Sequence, residues 1–161
     1  MGTSVVLSGR KAVECLAATT PQLVAAHHKI RHQIFVEEQG LFHPSDVDEH
    51  DGRPDVIRVL ALCESEPAGA VRLFPLDAGG RRWQGDRLAV LPAFRTQGVG
   101  KPLVRFAVAT AGALGGADMV AHIQLVNVAF FEQLGWQASG EVETYVGVAH
   151  QPMCIGLSRG A

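Results

Sequence analysis

The sequence predicts a mixed α/β fold, in which a mostly antiparallel central sheet carries helices on both faces. Two observations predict it. Short β-branched apolar runs separated by turns come first along the chain, and a strand–helix–strand–helix–strand run follows them. The length of 161 residues, 47% of them hydrophobic, suits a single domain over residues 1–161 with enough sequence to bury a core.

The amino-terminal quarter of the chain predicts one strand and a helical region. Residues 1–10 are small and polar and predict a loose lead-in, and residues 11–18 predict a first strand. Thr20 and Pro21 mark a helix start, because Thr caps helix N-termini and Pro fits the first helical position. Apolar spacing after them predicts one or two short helices that end at Gly40.

The middle of the chain predicts three strands after a loop. Residues 41–55 are polar and acidic and contain turn-forming Pro and Gly, so they predict the loop. Residues 56–62 and 68–74 are apolar runs on either side of the turn at 64–67, and this arrangement predicts a hairpin. Residues 83–91 predict a further strand that ends before a proline.

The remaining elements alternate between helix and strand. The pattern predicts a helix at 98–113, a strand at 120–124 and a helix at 126–134. Gly135 fits the glycine position that follows a helix C-terminus. The last predicted strands are residues 137–144 and 153–157.

The charge composition argues against a nucleic-acid partner. Lysine and arginine total 14, aspartate and glutamate total 16, and the formal net charge is -2. Proteins that bind phosphate backbones need concentrated basic patches instead. Four arginines in the turn and strand region are expected to form one anion pocket: Arg81, Arg82, Arg87 and Arg95.

Cysteine usage and hydropathy predict a cytoplasmic protein. Cys15, Cys63 and Cys154 are odd in number and far apart, so we expect neither a disulfide framework nor a structural zinc site. The amino terminus lacks the layout of a signal peptide. The longest uncharged stretch, 106–117, has about 12 residues, whereas a membrane span needs about 20.

The turn before the helix at 98–113 is the most informative segment. Gly98 and Gly100 let the backbone approach a phosphate closely, and a helix N-terminus attracts anions. Arg95 and Lys101 add positive charge. The spacing is neither a Walker loop nor a Rossmann fingerprint. From the glycines alone, a flexible helix start with surface basic residues is the favoured interpretation.

This segment resembles the acetyl-CoA signature of the GNAT superfamily of acetyltransferases, Val-x-Pro-x-x-Arg-x-x-Gly-x-Gly. The matching residues are Val90, Pro92, Arg95, Gly98 and Gly100. Residues 122–136 resemble the fifth strand and fourth helix of the family. Residues 31–39 are similar to the acceptor-side helix of one GNAT branch, and residues 147–153 to the Gly-x-Pro-His-x-x-Met segment of that branch.

The resemblance implies a sheet splayed into a V, with acetyl-CoA in the cleft and no metal. A bulged strand of the family offers backbone groups to the pantetheine and the thioester carbonyl. The positions that the resemblance assigns to acetyl-CoA are Leu88, Ala89, Val90, Arg95, Thr96, Gln97, Gly98, Val99, Gly100, Lys101, Gln124 and Phe131.

Phe131 departs from the family pattern. Many relatives carry tyrosine there, placed to protonate the CoA thiolate, whereas the one tyrosine of this chain is Tyr145. Another group or water then supplies the proton, or the protein binds acyl-CoA without efficient catalysis. Because a general acid contributes about 10²–10⁴-fold, a transferase remains the preferred interpretation.

Two residues are candidates for the base that deprotonates the acceptor ammonium. Glu38 is the first, because its region faces the acceptor in the resembling branch. Its alternative is a solvated helix face or a partner for Arg31. His150 is the second, because its pKa is naturally near neutrality. Its alternative is a strand-end histidine bonded to a backbone carbonyl.

Two further clusters of polar residues invite a metal interpretation, which we do not adopt. An acidic cluster consists of Asp46, Asp48, Glu49, His50 and Asp51. It fails as a calcium loop because Gly52 comes one place late and Ile57 occupies the position that needs Glu. It is either solvent-facing or a wall that attracts a cationic acceptor. His28 and His32 have a spacing that can hold zinc, but no third ligand is evident.

The function predicted is acetyl transfer from acetyl-CoA to a primary amine of a small molecule, by direct transfer in a ternary complex. The acceptor would enter between residues 31–39 and His150. One alternative is a non-catalytic acyl-CoA sensor, which Phe131 favours. Another is a related acyltransferase such as a signal-lactone synthase, which shares an Arg-x-x-Ile-Phe pattern. A homodimer with Trp83 and Trp136 at its interface is a further expectation.

Overall fold

A computed structural model describes residues 4–7 and 12–159 of the chain. Its strands are β1 (Ser4–Leu7), β2 (Ala12–Ala17), β3 (Ile57–Cys63), β4 (Glu66–Pro75), β5 (Arg82–Val90), β6 (Asp118–Gln124), β7 (Gln137–Ala138), β8 (Glu143–Tyr145) and β9 (Val148–Gly156). Its α-helices are α1 (Pro21–Arg31), α2 (Gly100–Ala113) and α3 (Val128–Gln133). A π-helical turn (His32–Glu38) and 3₁₀ turns (Glu49–Gly52, Pro92–Gln97, Leu125–Asn127) complete the helical parts.

The described strands form one mixed sheet in the order β1-β2-β3-β4-β5-β6-β9-β7, with β8 paired to β9. Every neighbouring pair is antiparallel except β5 and β6. These two parallel strands pair only where Arg82–Gln84 lies beside residues 118–120. Beyond this point they diverge, so the sheet opens into the V that the resemblance implied.

Two apolar clusters cover the two faces of the sheet. The larger packs α2, α3 and the inner strands together, and the smaller packs α1 and the π-helical turn against β3, β4 and β5. Trp83 and Trp136 are both 4% exposed within the larger cluster. The expectation that these tryptophans serve an interface is therefore wrong, because both rings are buried in the core. Among the described residues, no helix is long and apolar enough to cross a membrane.

Local chemistry explains most of the predicted boundaries. The Thr20 hydroxyl accepts the Leu23 amide at 3.2 Å with Pro21 in the first turn of α1. Gly135 follows α3 with φ +94°, a conformation that favours glycine. Both features confirm the sequence prediction.

Three predictions near the chain ends need correction. The loose lead-in predicted for residues 1–10 is wrong at Ser4–Leu7, which pairs with β2 as a strand. The other residues of that range, and Lys11, lie outside the described part of the chain. The strand predicted at 137–144 is two short strands, β7 and β8. The strand predicted at 153–157 begins earlier, at Val148, because Pro152 still joins the sheet by accepting the Ser139 amide at 2.9 Å.

A bulge in β5 lies where the V opens. Ala70 pairs with Ala89 and Arg72 pairs with Asp86, so the β5 segment between them holds one residue more than that of β4. Arg87 has φ +54°, the left-handed conformation expected at some bulges. Neither Arg87 nor Leu88 has a register partner on β4. The bulge therefore interrupts the β4–β5 register at the opening of the cleft.

Buried ion pairs fasten the acidic loop to α1. The Arg31 guanidinium is fully buried and donates from Nε to Asp46 and from Nη1 to Asp51, each at 2.7 Å. Burial opposes ionisation of Asp51, but its hydrogen bonds from Arg31 prevail and hold the pKa of this carboxyl well below its usual range. Arg31 is thus engaged on the inner side of the loop and is not the partner of Glu38.

Two arginines of the sheet extend this network. Arg72, fully buried in β4, donates to Asp48 at 2.6 Å, to Asp51 at 3.0 Å and to Asp86 at 2.7 Å. Arg87, from the bulge, donates through Nη2 to Asp48 at 3.3 Å. Each buried carboxylate therefore has a guanidinium partner, as buried charges require.

These pairs overturn one expectation in part and another completely. Asp46 and Asp51 are 2% and 8% exposed, so these two carboxylates neither face solvent nor form an open wall for a cationic acceptor. The Glu49 side chain of the same cluster is 82% exposed and does face solvent. The single arginine pocket is wrong as well, because the arginines have separate partners. Arg87 pairs with Asp46 at 3.2 Å, Arg82 approaches Asp118 at 3.9 Å, and Arg95 lies elsewhere, beside Glu38.

His27 connects this network to the sheet. Arg31 Nη1 can only donate, so its 3.2 Å contact makes His27 Nε2 an acceptor. The ring therefore carries its proton on Nδ1, which donates to the Val59 carbonyl at 2.9 Å. Burial is the main reason that the pKa of His27 falls to about 3, and the nearby Arg31 charge contributes.

We expect the protein to lose stability between about pH 6.5 and pH 4. A histidine whose pKa is lower in the native state than in the unfolded state makes its full contribution to stability at pH values above the unfolded pKa. That unfolded pKa is about 6.5. That contribution is lost as the pH falls toward the native value of about 3, at up to about 1.4 kcal/mol per pH unit. Urea unfolding across this range checks it, with His27→Asn as the comparison. A His27→Asn protein with the same slope as the wild type would contradict this account.

Candidate active site

The segment that leads into α2 is built to expose backbone N–H groups. The 3₁₀ turn at Pro92–Gln97 ends at Gly98, which has φ 70° and ψ 37°. The helix then begins at Gly100, and no side chain of the described residues caps its N-terminus. The amide groups of its first turn and the positive end of its dipole are thus left for an anion. Lys101, exposed in the same turn, adds a cation.

Gly69 lets α2 approach the sheet at this point. A Cβ atom at Gly69 would lie 2.8 Å from Leu103 Cδ1, 2.9 Å from the Ala89 carbonyl and 3.0 Å from Val99 Cγ1. These contacts leave no space for a side chain. The start of α2 therefore sits directly on the bulged strand, so an anion held there would lie at the open end of the V.

A small cavity lies between the splayed strands, on the α2 face of the sheet. It encloses about 40 Å³. Its walls come from β5, β6, α2 and α3, and they include Leu88, Ala107, Met119, Ala121 and Phe131. We call it the inner cavity. Phe131, 5% exposed, forms part of its wall.

A second cavity lies on the α1 face and shares part of its lining with the inner cavity. It has a volume of about 110 Å³, and we call it the outer cavity. Leu88, Ile123 and Phe131 line both cavities. The outer cavity is also lined by Tyr145 and His150. The bulge at Leu88 thus borders both cavities.

His150 has a defined tautomer in the outer cavity. Its ring lies 2.8 Å from the Val148 carbonyl through Nδ1, and a carbonyl can only accept, so Nδ1 carries the proton. No hydrogen-bond partner of Nε2 is found in the described part of the chain. The basic lone pair of the imidazole is therefore left for a ligand. The carbonyl bond expected as the alternative role is present, and it fixes the orientation of the ring.

Glu38 lies at the mouth of the cleft. Its Oε1 is 2.5 Å from Nη2 of Arg95, and both side chains are partly exposed. The next residue, Gln39, accepts from Nε2 of Gln124 at 3.1 Å. The end of the π-helical turn thus contacts the loop after β5 and the end of β6, one on each side of the V.

Comparison with known proteins identifies the family. A model of the acetyltransferase (GNAT) family matches residues 25–136. The chain belongs to this family. A Bacillus subtilis protein described as a candidate acetyltransferase is 28% identical over 133 residues, which cover 82% of this chain and 88% of that protein.

Solved structures show the same fold. A candidate N-acetyltransferase from Lactobacillus plantarum superposes with a TM-score of 0.79 at 22% identity, covering 90% of this chain and 98% of that one. The CoA-dependent acyl-homoserine lactone synthase BjaI, solved with SAM and isopentyl-CoA, superposes with a TM-score of 0.73 at 20% identity. The superposition covers 90% of this chain and 82% of the BjaI chain. These neighbours show the fold, and it is the family match that supports an acyltransferase.

Most positions that the GNAT resemblance assigned to acetyl-CoA lie around the cleft. Leu88 lies in the bulge and Ala89 and Val90 follow it. The side chains of these three residues pack into the two clusters. Gln124 lies at the end of β6 and lines the outer cavity. The remaining loop positions lie between the 3₁₀ turn and the first turn of α2, inclusive. They are Arg95, Thr96, Gln97, Gly98, Val99, Gly100 and Lys101.

The sequence interpretation did not single out three polar residues near the cleft. Tyr145 lines the outer cavity, stacks on His122 with ring centroids 5.9 Å apart, and packs edge-on to His150 at 5.5 Å. Glu143 lies 2.5 Å from Nδ1 of His122. The available signal was that His122 begins the segment 122–136 that resembles the family. The partners of His122 come from β8, which was not predicted as a separate strand.

Proposed function

We propose that the chain is one GNAT domain that moves an acetyl group from acetyl-CoA to a primary amine of a small molecule, by direct transfer in a ternary complex. The observation that carries the proposal is that the Leu88 bulge lines both cavities, one on each face of the sheet. A donor bound on the α2 face and an acceptor bound on the α1 face can react there without a covalent enzyme intermediate. Proximity of this kind supplies much of the rate of acyl transfer.

Each part of the site has a role in this reaction. The start of α2 holds the pyrophosphate, and the backbone at Leu88 donates to the thioester oxygen as charge develops on it. Nε2 of His150 accepts a proton from the acceptor ammonium. The freed amine then attacks the carbonyl carbon, and the carbon–sulfur bond breaks as the attacking nitrogen gives up its second proton to water. Because Phe131 has no proton to give, the departing thiolate takes its proton from water.

Glu38 remains the competing candidate for the base. Its ion pair with Arg95 favours a different role, since the pair orients a guanidinium of the pyrophosphate loop. We therefore assign proton transfer to His150 and alignment of Arg95 to Glu38. A cytoplasmic location and a homodimer stay predictions.

Replacing Gly100 by Asp tests the donor site. The new carboxylate would face the pyrophosphate at the first turn of α2, so we expect acetyl-CoA binding to weaken by well over tenfold, measured by calorimetry. The fold should survive, because an acidic residue in the first turn suits the helix dipole. Gly100→Ala is the matched control: its Cβ would lie 3.4 Å from Phe130 Cζ, a contact that a small shift accommodates.

Unchanged affinity in a folded Gly100→Asp protein would show that the pyrophosphate does not bind at this loop.

The rival function, a non-catalytic sensor, is tested with the wild-type protein. Acetyl-CoA and a panel of primary amines should release free CoA in the steady state if the proposal holds. Tight acetyl-CoA binding without CoA release from any amine would favour the sensor.

A further inference from the structure

We infer that the acyl donors of this protein extend beyond acetyl-CoA to thioesters with three- or four-carbon acyl chains, such as propionyl, butyryl and isobutyryl. The tail of the acyl chain occupies the inner cavity. This inference rests on the proposed binding of CoA in the V. It concerns which acyl group is held there.

The order of features along β5 places the inner cavity beyond the thioester. The pyrophosphate loop follows the end of β5 at Val90, and the bulge at Leu88 comes before that end. The inner cavity continues past the bulge to Gly85 and Asp86, toward the end of the V where β5 and β6 are paired. A pantetheine arm that enters from the loop and ends at Leu88 therefore directs its acyl chain into this cavity.

The lining of the cavity suits a hydrocarbon. Apart from Asp86, its side chains are apolar, and the Asp86 carboxylate is already held by two 2.7 Å hydrogen bonds from Arg72. An apolar space of this kind stays free of water. No unpaired charge of the described residues meets the acyl chain.

The volume sets the chain length. A water-sized group takes roughly 10–15 Å³ of such a space, so about 40 Å³ holds about three of them. Counted from the thioester carbon, an acetyl group supplies one such group, while butyryl and isobutyryl supply three. A hexanoyl chain supplies five and exceeds the space.

Small residues keep the cavity open. Ala107 projects from α2 and Ala121 from β6, at positions where a larger residue would fill the space. Gly85 has no side chain, and a Cβ atom there would lie 3.2 Å from Met119 Sδ. An empty space in a core destabilises the fold, whereas an acyl chain would restore the missing contacts. Met119 is flexible enough to adjust to a branched chain.

Calorimetry with CoA, acetyl-CoA, butyryl-CoA, isobutyryl-CoA and hexanoyl-CoA tests the inference without any acceptor. Each buried methylene should tighten binding about fourfold, so butyryl-CoA, with two more methylenes, should bind about fifteenfold more tightly than acetyl-CoA. Hexanoyl-CoA should lose this gain. Equal affinities for acetyl- and butyryl-CoA would overturn the inference. Failure of CoA itself to bind would instead overturn the proposed function, and the inference with it.

Two variants locate the acyl chain. Ala107→Leu and Ala121→Val fill the cavity from opposite walls and should abolish the preference for butyryl-CoA, while the affinity for CoA stays within about twofold. Ala113→Leu, on an exposed turn of the same helix, is the matched control and should keep the preference. Equal weakening of CoA and butyryl-CoA by both cavity variants would show that the space holds the pantetheine arm, and would overturn the inference.

Discussion

Turnover should fall by about 10²-fold or more when His150 is replaced by Asn, because the proton acceptor for the ammonium is lost. The change is conservative in shape. The Asn amide can donate to the Val148 carbonyl as Nδ1 of His150 does at 2.8 Å, but it offers no basic nitrogen. Acetyl-CoA affinity should stay within about twofold. Steady-state kinetics over a range of pH checks this, and the acidic limb of the profile should disappear.

Glu38→Gln is the matched comparison, since it removes a charge and keeps the size. If Glu38 aligns Arg95, which lies 2.5 Å away, the effect should appear mainly as a higher KM for acetyl-CoA. A large fall in kcat with Glu38→Gln, and none with His150→Asn, would reverse our assignment. If neither variant alters kcat or KM, deprotonation takes place in bulk solvent.

Replacing Arg72 by Met should destabilise the protein by about 3–5 kcal/mol. This guanidinium is fully buried and contacts three carboxylates, those of Asp48, Asp51 and Asp86. Without it, Asp86 loses both of its arginine hydrogen bonds while its side chain remains only 16% exposed. The penalty arises from charges left without a partner. Urea unfolding at pH 7 measures the change.

Arg53→Met is a matched control for this variant. Arg53 and Arg72 both lie over the Phe74 ring, at 5.2 Å and 5.3 Å from its centroid. Arg53, however, pairs with Asp55 in a partly exposed position, so its loss should cost less than about 1 kcal/mol. Adding Asp86→Asn to Arg72→Met should recover part of the stability. Similar losses for both arginines would show that the burial of the network contributes little.

The cleft of this protein was largely predictable because its chemistry is local. Gly98 and Gly100 lie in one short stretch, so the left-handed turn and the uncapped helix start follow from neighbouring residues. Thr20 and Pro21 predicted the start of α1 for the same reason. The carbonyl that orients His150 is only two residues away. In each case the physical cause lies within one turn of chain.

The buried network was not predictable in this way. Asp46 and Asp51 lie in a polar loop, and such a loop usually faces water, so the sequence pattern favoured exposure. Their partner Arg31 is 15 and 20 residues distant in sequence, and Arg87 is 41 residues from Asp46. Which charges meet depends on how the loop folds over the sheet, and periodicity holds no information about that.

The family, the glycine-rich turn before α2 and the order of strands and helices are properties of the chain read along its length, because turns, caps and apolar periodicity act between near neighbours. The two cavities are properties of the folded molecule. The inner cavity exists because Ala107, Met119 and Ala121, from a helix and a strand, approach the bulged strand and leave a space among them. Unfilled volume depends on the relative positions of distant elements, so only tertiary packing decides the size of this cavity.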